Sequence, residues 1–416
     1  MMNHSLLKVN LKRLKQTLAA SSKIGRLPNG GLCRLALSNE DKAMRDLFVT
    51  WLKEEQLQVR VDDFGNIYGR RPGRNPDSSP VMIGSHLDTQ PQGGQYDGVL
   101  GVLSALEVIR VLNEHNIETE RPIEIVNFTN EEGARFEPPM LGSGGLANIF
   151  DEQYVFNRED RQGRRFKDEL ARIGYAGKKE NRAKQIYCFI ELHVEQGSVL
   201  HREQVSIGAV EGIQGMTWLE VRVTGEADHA GPTPMSMRKD ALVAAAKMIT
   251  AIEQVADEVG SGVTTTVGRL AVEPNVVNCV PGQVVFSVDI RHFDDATRRQ
   301  TVHLVQEKIS TIAVMAGVDI EINNLWETES THFAQEIVDL VMQGAEQYGY
   351  SARRIVSGAG HDAKYINAIA PAGMIFVPSI NGKSHCPEEL TLMEDIEKGA
   401  NVLLYVTHQL AQHRGD

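Results

Sequence analysis

Val81-Met82-Ile83-Gly84-Ser85-His86-Leu87-Asp88 opens as a short apolar run and closes on a polar end, the signature of a buried strand that delivers side chains to an edge. After Asp97-Gly98, Val99 to Leu112 places Leu, Val and Ile at helical spacing, which predicts a buried helix. Strand, polar turn and helix in that order are the repeating unit of an α/β fold. The pattern recurs outward. Ile123-Glu124-Ile125-Val126-Asn127-Phe128 reads as a strand ending in Thr129-Asn130-Glu131-Glu132. Cys188 to Leu192 reads as another, ending in His193. Met374-Ile375-Phe376-Val377 is a late strand, closed by Pro378 and a polar loop to His385.

Between these lies a block of different texture. Trp218 to Val223 alternates, Asp240 to Ala256 is a strong helix pattern, Val263 to Ala271 and Val284 to Ile290 read as strands, and Gln300 to Ala316 as a helix. This predicts a small α+β unit, 213–329, inserted into a larger α/β domain made of 1–212 and 330–416. Met1 to Ala20 reads as an amphipathic helix, and the charge-rich stretch Asp151 to Arg182 as a solvated helical excursion.

The 416 residues are long enough for two or three domains, and 42% hydrophobic with 24% charged excludes a mainly disordered chain. A net charge of −12 argues against nucleic acid as a partner, since phosphate binding wants a basic surface. Four scattered cysteines without a C-x-x-C pair exclude a disulfide scaffold and point to a reducing cytosol, so the expected location is cytoplasmic. No apolar run reaches ~18 residues, so no membrane span is expected.

His86, Asp88, Asp97, Glu131, Glu132, His193 and His385 each sit just after a predicted strand or at the opening of a helix. The carboxyl ends of strands in an open α/β sheet share one edge, so residues distant in sequence converge there. Histidines with carboxylates suit a divalent first-row metal. His86 and Asp88, two apart, face one side of an extended segment, and Asp88 is placed to orient His86 through its second ring nitrogen. Asp97 reads as the N-cap of the Val99 helix, where a carboxylate can bridge two cations. Glu131 and Glu132 point to different sides of an extended chain: one can bind a cation while the other faces a water as general base. Singly, each has a plainer reading: a packed core histidine, a solvated Glu-Glu corner, an ordinary helix cap. Their joint placement favours a two-metal site.

Gly84-Ser85-His86-Leu87-Asp88-Thr89, Gly93-Gly94-Gln95-Tyr96-Asp97-Gly98, Thr129-Asn130-Glu131-Glu132-Gly133, Glu191-Leu192-His193-Val194-Glu195-Gln196-Gly197 and Ser384-His385-Cys386-Pro387 resemble the metal-site motifs of M20-type amidohydrolases. The branch they resemble is the hydantoinase/carbamoylase one: N-carbamoyl-L-amino acid hydrolases, β-ureidopropionases and allantoate amidohydrolases. The resemblance runs in order along nearly the whole chain. It implies a large dinuclear-metal domain with an inserted lid that also forms a homodimer interface. It implies that His86, Asp97, Glu132, His193 and His385 bind two divalent ions (zinc, or else manganese, cobalt or nickel), with Asp97 bridging. Glu131 matches the general base and Asp88 the acid beside the first histidine.

In Gly225-Glu226-Ala227-Asp228-His229-Ala230-Gly231, His229 matches a lid histidine that polarises the scissile carbonyl, probing the partner subunit's site. Asn278 and Arg291 match positions that hold a substrate carboxylate, for which the planar guanidinium is suited. Gln196 matches the residue contacting the carbamoyl or carboxylate end. Gly358-Ala359-Gly360-His361-Asp362 resembles a Gly-rich loop near the substrate, with Gly360 and His361 either touching it or supporting the site from behind. The implied reaction is hydrolysis of a small-molecule N-carbamoyl or ureido carboxylate. The loop Val377 to Gly382 is closer to allantoate-type members and Phe128 to Phe136 to carbamoylases, which leaves the substrate open within the branch. The rivals are a dipeptidase or aminoacylase using the same centre, and a non-catalytic scaffold, which should have lost donors that this chain keeps.

Overall fold

The computed structural model describes residues 6–260 and 262–413. They form two compact units. One comprises the described residues up to Gly212 and those from His332 onward; the other is Ile213–Thr331.

The first unit is built on a mixed sheet whose centre runs Ile123–Phe128, Val81–His86, Cys188–Val194 and Ala372–Val377, all parallel. Every residue of these four strands is buried. Parallel strands need this cover on both faces, which is why they read as continuous apolar runs rather than alternating ones. Antiparallel strands flank them: Ile67–Arg71 and Gln58–Val61 on one side, Ile207–Ile213 on the other. The helix Val99–Glu114 is buried at every position from Val99 to Leu112 and packs on the Val81–His86 strand and on the long C-terminal helix Met393–Ala411. Gly101 permits that approach, because a Cβ there would meet the Leu192 carbonyl oxygen at 2.5 Å.

Two expectations change here. The N-terminal helix starts only at Leu11, capped by Asn10, whose side chain accepts from Arg13 N–H. The chain before it is held by tertiary bonds instead, Val9 N–H donating to Asn401 and Asn10 N–H to Glu107. Residues 1–5 of the predicted helix lie outside the described residues. The excursion after Asp151 is docked rather than solvated. Phe156, Phe166, Leu170 and Ile173 are buried, and Arg135 reaches both Asp160 and Glu169.

The second unit is a five-stranded antiparallel sheet containing Gly215–Thr224, Gln283–His292 and Asp319–Thr328. Burial alternates along Gln283–His292. One face therefore lies under the helices Ala241–Val259 and Asp295–Ala316, around Phe286, Val288, Met248 and Ile309. Each such burial is worth roughly 1.5–3 kcal/mol. The second helix begins five residues before the predicted Gln300, because Asp294 caps it by accepting Thr297 N–H. Asp319–Thr328 was not among the predicted strands. It is an edge strand with mostly exposed side chains, so it carries little of the apolar signal that marks a strand.

The chain leaves the first unit and returns to it beside itself: Phe333 N–H donates to the Glu211 carbonyl at 2.9 Å. Among the described residues no helix is long and apolar enough to cross a membrane, and the four cysteines are free.

Candidate dinuclear metal centre

The parallel strands bring the predicted donors to one edge of the first unit. His86 ends its strand and His193 stands one residue before the end of its own. Glu131 and Glu132 follow the Ile123–Phe128 strand, and His385 lies in the loop beyond Val377. Among the described residues three groups of donor atoms each lie within 4.8 Å of one another: His86, Asp97 and His193; Asp97, Glu132 and His385; and, behind the first, Glu191, His193 and His361. Asp97 belongs to the first two. Its Oδ1 stands 3.2 Å from His193 Nε2 and 3.5 Å from His86 Nε2, while its Oδ2 stands 3.2 Å from His385 Nε2. Glu132 Oε2 is 3.4 Å from His385 Nε2, and Glu131 Oε2 is 3.5 Å from His86 Nε2.

Asp97 is not the side-chain cap of its helix. Gly98 holds the cap position at φ 65° with no side-chain cap bond, which leaves the Asp97 carboxylate to the three histidines. Glycine is required at 98 for space as well, since a Cβ would stand 2.3 Å from the His86 ring. The reading of Asp88 also changes. His86 Nδ1 donates to the Asp88 backbone carbonyl at 3.0 Å, whereas the carboxylate is 4.0 Å away. The strand stops at His86, so Asp88 no longer shares its side, and its carboxylate accepts the backbone N–H of Glu131 and of Glu132, each at 3.3 Å. Asp88 thus fixes the peptide that spreads the two glutamates. His193 Nδ1 donates to the Val194 carbonyl at 2.9 Å, so both histidines present Nε2 to Asp97.

Burial sets the electrostatics. It would pull the His86 imidazole down, but Glu131, Asp97 and Asp88 together lift it well above its ordinary value. Burial pushes the Glu131 carboxyl well above the usual range, with His86 opposing and Asp362, Glu132 and Asp97 adding to it. Burial and the Asp97 charge raise Glu132 to about 7. Asp97 runs the other way: the three histidines around it, His193 first, then His385 and His86, outweigh its burial and hold it well below. The half-exposed His385 is raised to about 9, first by its bond to Asp97. His86 Nε2 is buried and makes no hydrogen bond among the described residues. An uncommitted buried nitrogen facing two carboxylates fits a cation donor, and imidazole with carboxylate is a donor set for divalent first-row metals.

Gln196, at φ 58°, donates from Nε2 to Asp97 Oδ2 at 2.9 Å, and its carbonyl Oε1 is buried with no hydrogen-bond partner among the described residues. His361 is buried edge-on against His193, ring centres 4.5 Å apart, with Nε2 3.1 Å from Ser357 Oγ. Burial and the neighbouring His193 hold it well below the ordinary histidine value. Gly360 lies beside Met140. The remaining candidates stand in the second unit. His229 is exposed, its short strand paired with Cys279–Val280, and Ala230 N–H donates to the Asn278 carbonyl at 3.0 Å, which makes His229 and Asn278 neighbours. His229 Nδ1 accepts Gly231 N–H at 3.1 Å, which leaves its proton on Nε2. Arg291, on Gln283–His292, forks onto Asp289 at 2.7–3.1 Å.

Sequence reasoning missed three residues at the centre. Gln90 Nε2 donates to Glu132 Oε2 at 2.7 Å. Ser384 and Glu389 meet the Asp97 loop. Glu389 stands four residues beyond His385, and nothing local separates it from Glu388.

A model of the peptidase family M20/M25/M40 matches residues 82–409. An N-carbamoyl-L-amino-acid amidohydrolase of Rhizobium meliloti is 41% identical over 405 residues, 97% of each chain. An allantoate amidohydrolase of Escherichia coli (strain K12) is 34% identical over 400 residues, 96% of this chain and 97% of that one. The crystal structure of an amidase of the hydantoinase/carbamoylase family from Burkholderia multivorans is similar with a TM-score of 0.95 at 45% identity, covering 98% of this chain and 99% of that one. Matches of this extent span nearly the whole chain, and the chain belongs to the M20 family, on its hydantoinase/carbamoylase branch, as a hydrolase of carbon–nitrogen bonds.

Proposed function

We propose that the chain removes the carbamoyl group from an N-carbamoyl-L-amino acid, releasing the amino acid, ammonia and carbon dioxide. The observation that carries this reading is the sharing of Asp97 between two donor groups, with Glu131 beside them. The higher identity to the N-carbamoyl-L-amino-acid amidohydrolase, 41% against 34%, favours that substrate over allantoate.

M20 enzymes are dinuclear and metal-dependent, and the donor set fits two cations. His86 and His193 would hold one, Glu132 and His385 the other, and Asp97 both. Divalent ions there, zinc or else manganese, cobalt or nickel, would polarise the scissile carbonyl and lower the pKa of water. Glu131, its basicity raised by burial, takes the proton of the attacking water. A C–O bond forms at the carbamoyl carbon, and the bond to the amino nitrogen breaks as Glu131 returns the proton to that nitrogen. The carbamate released falls apart into ammonia and carbon dioxide.

The buried Gln196 carbonyl accepts from the terminal NH2 of the carbamoyl group, a donor that an acyl substrate lacks. His361 packs behind His193, and Gly360 keeps the adjoining loop slim. From the inserted unit, His229 donates Nε2–H to the developing oxyanion, while Arg291 and Asn278 anchor the substrate carboxylate. In this reading the inserted unit is the lid and the homodimer interface, the large unit is the metal domain, and the enzyme works in the cytoplasm.

The test is product analysis by mass spectrometry. Metal-loaded protein is given N-carbamoyl-L-methionine, N-carbamoyl-β-alanine, allantoate and a dipeptide, with and without chelator. Chelator-sensitive conversion of N-carbamoyl-L-methionine is expected. Conversion of only N-carbamoyl-β-alanine or allantoate moves the substrate within the branch. Cleavage of the dipeptide alone overturns the reading of the pocket.

A further inference from the structure

Glu389 is a carboxylate 3% exposed to solvent that belongs to none of the donor groups among the described residues and takes no part in the proposed chemistry. Its Oε1 accepts two consecutive backbone N–H groups, those of Tyr96 at 2.9 Å and Asp97 at 3.1 Å. Ser384 Oγ stands between the two carboxylates, 2.9 Å from Glu389 Oε2 and 3.0 Å from Asp97 Oδ2, placed to share its one proton between them. The loop it grips is shaped to receive it: a Cβ on Gly94 would fall 2.1 Å from the Glu389 carboxyl carbon. Glu389 is tied to its own loop, its N–H donating to the Cys386 carbonyl at 3.1 Å.

We infer that Glu389, with Ser384, is a positioning residue that locks the Asp97 loop to the His385 loop, so that one carboxylate faces both cation groups at once. The physical case is geometric. Asp97 and His385 lie 288 positions apart on loops that no strand pairing joins, yet Asp97 Oδ2 and His385 Nε2 must be held near 3.2 Å. A carboxylate accepting two adjacent N–H groups fixes the orientation of that peptide, and the serine fixes the rotation of the Asp97 side chain. Residues beyond the donors that orient them typically govern ~10–100-fold of metal affinity or activity. The inference rests on the two-cation reading given above.

The test compares Glu389→Ala, Glu389→Gln and Ser384→Ala with the wild type. Cation stoichiometry and affinity are measured by titration with cobalt(II), followed by its visible spectrum, alongside kcat and KM. Glu389→Ala is expected to weaken the second cobalt(II) about 10–100-fold, to alter the visible band, and to lower kcat with KM little changed. Glu389→Gln keeps an oxygen for the two N–H groups and should recover affinity to within a few-fold of wild type. Ser384→Ala orphans no charge, so it reports even where Glu389→Ala fails to fold, and it should weaken the second ion several-fold. Two cobalt(II) ions bound by Ser384→Ala and Glu389→Gln with wild-type affinity, and by any folded Glu389→Ala likewise, overturn the inference. Fewer than two ions on the wild type overturn the two-cation reading itself, and this role with it.

Discussion

Gln196 Nε2 donates to Asp97 Oδ2 at 2.9 Å, so the residue that would grip the substrate is oriented by the carboxylate shared between the cation groups. That bond settles which way the Gln196 amide faces and leaves its buried oxygen as the acceptor. Gln196→Ala should therefore lower kcat/KM for an N-carbamoyl amino acid by about 1–3 kcal/mol, roughly fivefold to 150-fold. The loss should be much smaller for the matching N-formyl compound, which has no terminal NH2. Steady-state kinetics on the pair checks it, and equal losses on both would remove Gln196 from carbamoyl recognition.

Glu131→Gln should retain both cations and lower kcat by about 10²–10⁴. Thermal stability should hold, because burial already favours the neutral carboxyl and the glutamine amide matches it in shape and charge. Metal content by mass spectrometry and a melting curve accompany the rate. Near-normal turnover would strip Glu131 of its role.

Cation uptake should release protons. In chelated protein His385 is raised to about 9, so at neutral pH a cation must displace its proton, and apparent affinity should climb as pH rises towards 9. The stability of the chelated chain runs the other way. A histidine whose folded pKa exceeds its unfolded 6.5 stabilises fully below 6.5, and that contribution is lost as pH rises through about 9. Calorimetry in buffers of different ionisation enthalpy measures the protons released, and melting of chelated protein from pH 6 to 10 measures the opposite slope. A pH-independent affinity would contradict this.

Gly98→Ala should lose the His86 group. A φ of 65° with ψ −49° is the γ-turn conformation that strains any residue carrying a Cβ, and the new Cβ would stand 2.3 Å from the His86 ring. The expected outcome is a folded chain that melts lower and holds fewer than two cations. Gly30→Ala, also at positive φ but with open space around its Cβ, should melt lower and keep both.

What could be read from the chain follows the range of the interactions involved. Ile123–Phe128 and the stretch Val99 to Leu112 emerge as expected because their apolar runs are local and nearly unbroken. The histidines and carboxylates were findable because strand ends are findable. Asp319–Thr328 escaped notice because an exposed edge strand lacks apolar contrast. Asp88 was given the wrong partner for a subtler reason: the strand stops at His86, and its carboxylate bonds 43 and 44 positions away, at Glu131 and Glu132. Glu389 reaches 292 positions back to Asp97, a bond with no local imprint.

The hydrogen bond from Phe333 to Glu211 makes the second unit a parenthesis in the chain. Both crossings stand side by side, so deleting what lies between and joining the ends would close only a tight turn, with little loop entropy at stake. Every candidate cation donor lies outside the parenthesis, while His229, Asn278 and Arg291 lie within it. Under the proposed reading, affinity for metal is written wholly into the outer stretches, while recognition of substrate is divided between Gln196 there and the three residues inside, so the inserted stretch could be redesigned without touching a cation donor.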